Sequence, residues 1–118
     1  MGTYRDLEVW RKSLELVAAV YRATRQFPAE ERYSLRDQIQ RSVISVPANI
    51  AEGHGRIHRG DTLRFLSIAR GSLYETEAHI EIANSLGYLD RETFDHLWSS
   101  VQALGRLMNG LIRSTKAR

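Results

Sequence analysis

Four histidines, His54, His58, His79 and His96, are the side chains of this sequence best suited to acid–base or metal chemistry, and their spacing limits what they could do. A nucleophilic triad needs a hydroxyl, a base and an orienting carboxylate close together. Here the histidines are scattered and no Gly-rich elbow accompanies them, so the sequence predicts no enzymatic activity. Di-iron bundles present Glu-x-x-His pairs inward, whereas Glu75 and His79 are spaced i, i+4, still on one helix face. With Glu52 they could in principle hold a metal; polar contacts with arginines of the second helix account for them more simply, and no metal or cofactor is expected. Gly53-His54-Gly55 follows a helical pattern and lacks the third glycine of a dinucleotide fingerprint, and no Walker loop is present. The remaining cluster is Arg56, His58 and Arg59, just ahead of a helix start, where free N–H groups and the helix dipole favour anions. It is a candidate phosphate contact, with a solvated basic loop as the alternative.

The elements that must position these residues are helical. Leu7, Trp10, Leu14, Val17, Ala18 and Tyr21 recur at helical spacing, with Asp6 as a candidate N-cap and Phe27-Pro28 as the stop; Val9, Leu16 and Val20 form a second stripe expected to face a partner in part. Ser34 can cap a second helix carrying Leu35, Ile39, Val43, Val46 and Ile50, interrupted by Pro47, which predicts a kink or two shorter helices. That helix should stop at Glu52-Gly53, leaving residues 53–60 as the longest loop. Asp61 can cap a third helix with Phe65, Leu66, Ala69, Leu73, Thr76, Ile80 and Ala83 on one stripe and Ile68, Ile82 and Leu86 beside it. Gly71 and Ser72 in its middle suggest the close approach of another helix. Asp90 caps a fourth, with Phe94, Leu97, Trp98, Val101, Leu104, Met108, Leu111 and Ile112 at three-four spacing. Trp10, Tyr21, Phe65, Phe94 and Trp98 are expected in the core. No segment alternates with period two. Short connections favour antiparallel neighbours, so the predicted fold is all-α, one domain over residues 1–118, an antiparallel up-down-up-down four-helix bundle.

Composition agrees with that class. A chain of 118 residues with 42% apolar and 26% charged residues suits one ordinary core. The absence of cysteine excludes disulfides and thiolate chemistry. The N-terminal stretch from Met1 to Trp10 is charged, and no run reaches the roughly 18 apolar residues of a membrane span, so a cytoplasmic location without membrane contact is expected. The net charge of +3 is carried almost wholly by arginine, whose planar fork of donors suits phosphates, carboxylates and aromatic faces. No acid follows Asp95, so Arg106, Arg113, Lys116 and Arg118 leave the last helix positive, whereas Glu75, Glu77 and Glu81 form an acidic stretch on the third. Such a chain can use its arginines on RNA or DNA, with Arg56, His58, Arg59, Arg64 and Arg113 as candidates, or pair them with those glutamates across subunits as a protein-interaction scaffold.

Several motifs occur in an order that carries a resemblance. They are Leu7-Glu8-Val9-Trp10, Phe27-Pro28 followed by Glu31-Arg32-Tyr33-Ser34-Leu35, Gln38-Ile39-Gln40-Arg41-Ser42, the run Val46-Pro47-Ala48-Asn49-Ile50-Ala51-Glu52-Gly53, and the stretch from Phe65 to Glu77. Over nearly its whole length the chain resembles the four-helix-bundle proteins named after intervening sequences in bacterial 23S rRNA genes. The resemblance implies a left-handed antiparallel bundle, commonly a ring-shaped homopentamer, without established enzymatic activity. A relative, the accessory protein of diversity-generating retroelements, is a basic pentamer that binds nucleic acid and associates with a reverse transcriptase; nucleic-acid binding and a protein partner are thus implied indirectly. Asn49 and Glu52 match the family's Asn-Ile-Ala-Glu-Gly motif, and Glu75 and Glu77 its Ser-Leu-x-Glu-x-Glu motif. The resemblance assigns these four, with Arg41, to a structural polar network at Pro47 and at the corner between the second and third helices.

Overall fold

The computed structural model describes residues 2–118; Met1, the first residue of the charged N-terminal stretch, lies outside them. Four helices carry the chain: α1 (Glu8–Thr24), α2 (Leu35–His54), α3 (Arg59–Ser85) and α4 (Arg91–Ala117), with single 3-10 turns at Tyr4–Asp6 and Ala29–Glu31. No strand occurs among the described residues. Each helix packs on its neighbours in sequence, and α4 closes on α1, so the four surround one core in a bundle 45 × 25 × 20 Å in extent. Side-chain pairs fix the directions. Ser45 meets Ser72 and Ser42 meets Thr76, while Glu77 meets Gln102 and Arg70 meets Asn109, so the partner number falls as the residue number rises. With Thr24 bonded to Gln40 and Leu7 sharing a cavity wall with Ile50, the same holds for α1 and α2, and consecutive helices are antiparallel.

The stripes predicted on α2 and α3 are the buried ones: Leu35, Ile39, Val43, Val46 and Ile50 face Leu66, Ala69, Leu73, Ile80 and Ala83 across the core. On α1 the two stripes exchange roles. Val9, Leu16, Ala19, Val20 and Ala23 are buried around Ser13, whereas Leu14 and Tyr21 are exposed. The two stripes are adjacent on one broad apolar face, and the small side chains at 13, 19 and 23 bring the second of them closest to the neighbouring helices. Trp98 is 42% exposed, because Leu97, Val101 and Leu104 already fill the inward positions of α4, so it and Tyr21 leave the predicted aromatic core, as does Phe65, half-buried beneath two arginines.

Helix ends also differ from expectation. Asp6 closes a capping box with Thr3 on the preceding 3-10 turn, so α1 starts at Glu8 after Leu7. The Ser34 hydroxyl makes no cap bond; a Glu31 carboxylate oxygen lies 3.4 Å from the Leu35 N–H instead. The His58 carbonyl accepts the N–H groups of Asp61 and Thr62, starting α3 at Arg59 and placing Asp61 inside its first turn. Asp90 caps α4 as predicted, its Oδ1 accepting the Thr93 N–H at 2.7 Å. Helix α2 runs unbroken through buried Pro47 to His54, which shortens the predicted long loop to residues 55–58.

The closest approach in the bundle is between α2 and α3, along small and polar residues. A Cβ added at Gly53 would lie 2.9 Å from the Phe65 Cβ, whereas one at Gly71 would meet nothing within 4 Å. Gly53, and not Gly71, marks the tight crossing. Beside it Ser45 Oγ and Ser72 Oγ are 2.8 Å apart, and Asn49 donates to the Ser45 carbonyl and hydroxyl at 2.8 and 2.9 Å. Further along, Thr76 Oγ1 donates to Ser42 Oγ at 2.9 Å, and Ser42 Oγ lies 3.3 Å from His79 Nδ1. Every buried side-chain polar atom among the described residues has a partner, so this seam carries no desolvation debt.

Candidate functional site

The antiparallel order gathers the start of α1, the end of α2, the start of α3 and the end of α4 at one end of the bundle. Within about two turns of that end lie nine cations (Arg5, Arg11, Lys12, Arg56, Arg59, Arg64, Arg113, Lys116 and Arg118) and five carboxylates (Asp6, Glu8, Glu15, Glu52 and Asp61), an excess of four. The rest of the chain holds the other eight cations and nine carboxylates, out of totals of 17 and 14. All of the net positive charge therefore belongs to one end, a separation that the linear sequence hides because it arises from four distant segments.

There an open cleft of about 480 Å³ is lined by His54, Arg56, Ile57, Arg59, Thr62 and Arg118. Arg59, the first residue of α3, extends its Nη1 to 3.5 Å from the Lys116 carbonyl, which bridges α3 to the end of α4. Arg56 is held from two directions, by an ion pair with Glu52 one turn back and by the Phe65 ring 4.5 Å below its guanidinium carbon. Arg64 lies over the same ring at 5.2 Å. Such stacking leaves the edge donors of a guanidinium free to meet a phosphate. The first turn of α3 has no side-chain cap, so its dipole and N–H groups add to the positive field, while Asp61 in the same turn subtracts from it.

Of the predicted phosphate contacts, Arg56 and Arg59 share the cleft and Arg64 joins them through Phe65. His58 contributes its backbone carbonyl to the start of α3 and is absent from the lining, and Arg113 is an exposed residue of the same end, outside the cleft. His54 and Arg118 are cleft residues that the loop and tail boundaries concealed. His54 stands one turn beyond Ile50, and that spacing was the available signal. Behind the cleft, and sharing His54, Thr62 and Arg118 with it, lies a second cavity of about 210 Å³ walled by Leu7, Ile50, Leu66 and Leu111 together with Ser114 and Thr115.

The five residues assigned to a polar network do not form one. Arg41 pairs with Asp37 on the surface of α2, Glu52 with Arg56 at the corner, and Glu77 with Gln102 of α4, while Glu75 is exposed. Only Asn49 joins the α2–α3 seam, where hydroxyls replace the expected ion pairs, since two close-packed helices have no room for long charged side chains. The candidate metal set is likewise dispersed: Glu52 stands at the cationic end, Glu75 faces solvent, and His79 is buried against Ser42. Among the described residues no three His, Asp or Glu side chains converge as a metal site requires. The Ser42–His79 pair resembles a nucleophile and base, but both are buried, at 3% and 8% exposure, and no carboxylate orients the ring.

No described helix is long and apolar enough to cross a membrane. Fold and charge together define a four-helix-bundle protein whose net positive charge is concentrated at one end. Residues 5–110 match the family model described as 23S rRNA-intervening sequence protein, and the chain belongs to that family. Among solved structures it is similar to the crystal structure of a protein of unknown function from the S23 ribosomal protein family of Bacteroides thetaiotaomicron. The two are 27% identical with a TM-score of 0.82, covering 89% of this chain and 95% of that one. No curated protein matches.

Proposed function

We propose that this chain is a non-enzymatic, cytoplasmic, oligomeric bundle that binds RNA or DNA through its cationic end. The observation that carries the proposal is the charge separation: all of the net positive charge lies at one end, where Arg56, Arg59 and Arg118 line an open cleft at the start of α3. Arginine donors around an uncapped helix start suit phosphate oxygens, and binding of this kind releases counterions, so affinity must fall with salt. The test is binding of nuclease-treated protein to structured RNA and to duplex DNA at several salt concentrations. A linear fall of log affinity with log salt supports the proposal, with Arg59→Gln lowering the slope by about one. Absence of salt-sensitive affinity for either polymer overturns it.

Assembly is supported by a different feature. Ile68 and Ile82, two turns to either side of exposed Glu75 on α3, are exposed, with Leu86 beyond them. An apolar stripe of this kind suits a second copy of the chain, and the family resemblance points to a pentamer. A purely structural scaffold that pairs with a protein partner is the competing proposal, favoured by the same stripe; it predicts a stable oligomer indifferent to nucleic acid.

A further inference from the structure

The cleft and the apolar cavity behind it are contiguous through His54, Thr62 and Arg118, and together they fall within the roughly 300–1,000 Å³ of small-molecule pockets. We propose that they form one two-part site for the phosphate-bearing end of a single-stranded nucleic acid, with the terminal phosphate on Arg59 and Arg118 and the terminal base in the apolar cavity. This rests on the nucleic-acid proposal above and specifies which part of the polymer the end of the bundle takes.

Three observations carry it. The inner cavity is floored by Ile50 and Leu66, which are 0% and 2% exposed and belong to the core, so a strand that enters cannot run on through it. An end fits where a continuous chain does not. The charge also suits an end, because a terminal phosphate monoester bears about −1.5 to −2, against about −1 for an internal diester. Among the cleft arginines only Arg56 is neutralised, by Glu52; Arg59 and Arg118 are in no ion pair among the described residues. Finally, the Thr62 and Ser114 hydroxyls spend their protons on the Gly53 and Leu111 carbonyls, at 2.9 and 3.0 Å. They face an entering base as acceptors, matched to an exocyclic amine.

The experiment uses one single-stranded oligonucleotide in three forms, with a 5′-phosphate, a 3′-phosphate or neither. Each carries a fluorophore away from the tested end, and binding is read by anisotropy at constant salt. The expected result is a preference of about tenfold or more for one phosphorylated form, with the favoured end giving the polarity. Arg59→Gln and Arg118→Gln should each abolish that preference, and so should Ser114→Phe, which fills the inner cavity from an exposed position; circular dichroism checks that each variant keeps its helix content. Equal affinity for all three forms overturns the end site while leaving salt-sensitive binding intact. Failure to bind any form overturns this site and the nucleic-acid proposal together. A preference that survives both arginine variants and Ser114→Phe also refutes the assignment.

Discussion

Replacing glycine by alanine at position 53 or 71 should shift stability in opposite directions, although both positions are helical. At Gly53 the new methyl carbon would lie 2.9 Å from the Phe65 Cβ and 3.2 Å from the Thr62 carbonyl oxygen, so one of two packed backbones must move. Overpacking of this kind costs about 1–3 kcal/mol. The gain in helix propensity offsets at most about 1 kcal/mol, and less here because Gly53 is next to the end of α2. A net loss of about 1–2 kcal/mol follows. At Gly71, in the middle of α3, a methyl group meets nothing within 4 Å and the full propensity gain of about 0.5–1 kcal/mol is available. For a domain of this size the variants should bracket the wild type, with Tm lower by about 4–8 °C for Gly53→Ala and higher by about 2–4 °C for Gly71→Ala. Thermal and urea unfolding followed by circular dichroism at equal protein concentration measure both. If Gly53→Ala is as stable as the wild type, the tight crossing of α2 and α3 is wrong. If Gly71→Ala is destabilised, another surface covers that position.

Other perturbations probe the remaining features. Thr76→Val keeps the shape but removes the donor to Ser42, and should cost about 1 kcal/mol in urea unfolding; no change would mean that the seam hydroxyls are redundant. Asp90 has its carboxyl held below the ordinary 3.8 by the Thr93 N–H it accepts, so its contribution is present above pH 3.8 and is lost as pH falls through the lowered folded value. The Tm gap between wild type and Asp90→Ala should therefore close in acid, and a gap undiminished there would deny the cap. Tyr88 donates to Glu31 at 2.7 Å, which together with burial and the Glu31 and Glu30 charges raises its pKa above 10.0. Its contribution is complete below pH 10.0 and lost as pH rises through the folded value, so the difference in tyrosinate absorbance between wild type and Tyr88→Phe should titrate above 10.0. Glu75→Arg, in the middle of the α3 stripe, should lower the solution mass toward the 13.5 kDa single chain; unchanged mass in sedimentation would place the subunit contact elsewhere.

The architecture was legible wherever a helix carries a single narrow apolar stripe. On α2, α3 and α4 most of the predicted inner positions are buried, because a stripe at three-four spacing has a single way to face a core; Phe65 and Trp98, at the edges of their stripes, are the ones turned toward solvent. On α1 both Val9–Leu16–Val20 and Leu14–Tyr21 satisfy the period, and only the neighbouring helices decide between them. Caps were half legible: Asp90 has no competitor, whereas Asp6, Ser34 and Asp61 each lie beside another group or an earlier helix start that takes over the role. Of the site, the sequence showed Arg56 and Arg59 because they lie within one four-residue stretch of the chain. His54 was hinted at only by its spacing from Ile50, and Arg118 and the inner cavity not at all, since they come together only where four helix ends meet. The expected ion-pair network failed for a related reason, since motif positions specify residue types but not which neighbour each reaches.

The hydroxyl seam between α2 and α3 gives the bundle something that its aliphatic core lacks, a register key. Valine, leucine and isoleucine tolerate sliding, because an exchange of similar volumes costs less than about 1.5 kcal/mol. Suppose α3 slips one turn against α2. In one direction Phe65 would stand opposite Asn49 in place of Gly53; in the other, Ser42 would face Ile80 in place of Thr76. Either slip strands buried polar groups or forces two backbones apart, so the alternative alignments are excluded at every step along the seam and not at a single contact. The cation-bearing ends of α2 and α3 are thereby kept level with each other, as the teeth of a vernier hold two scales in step.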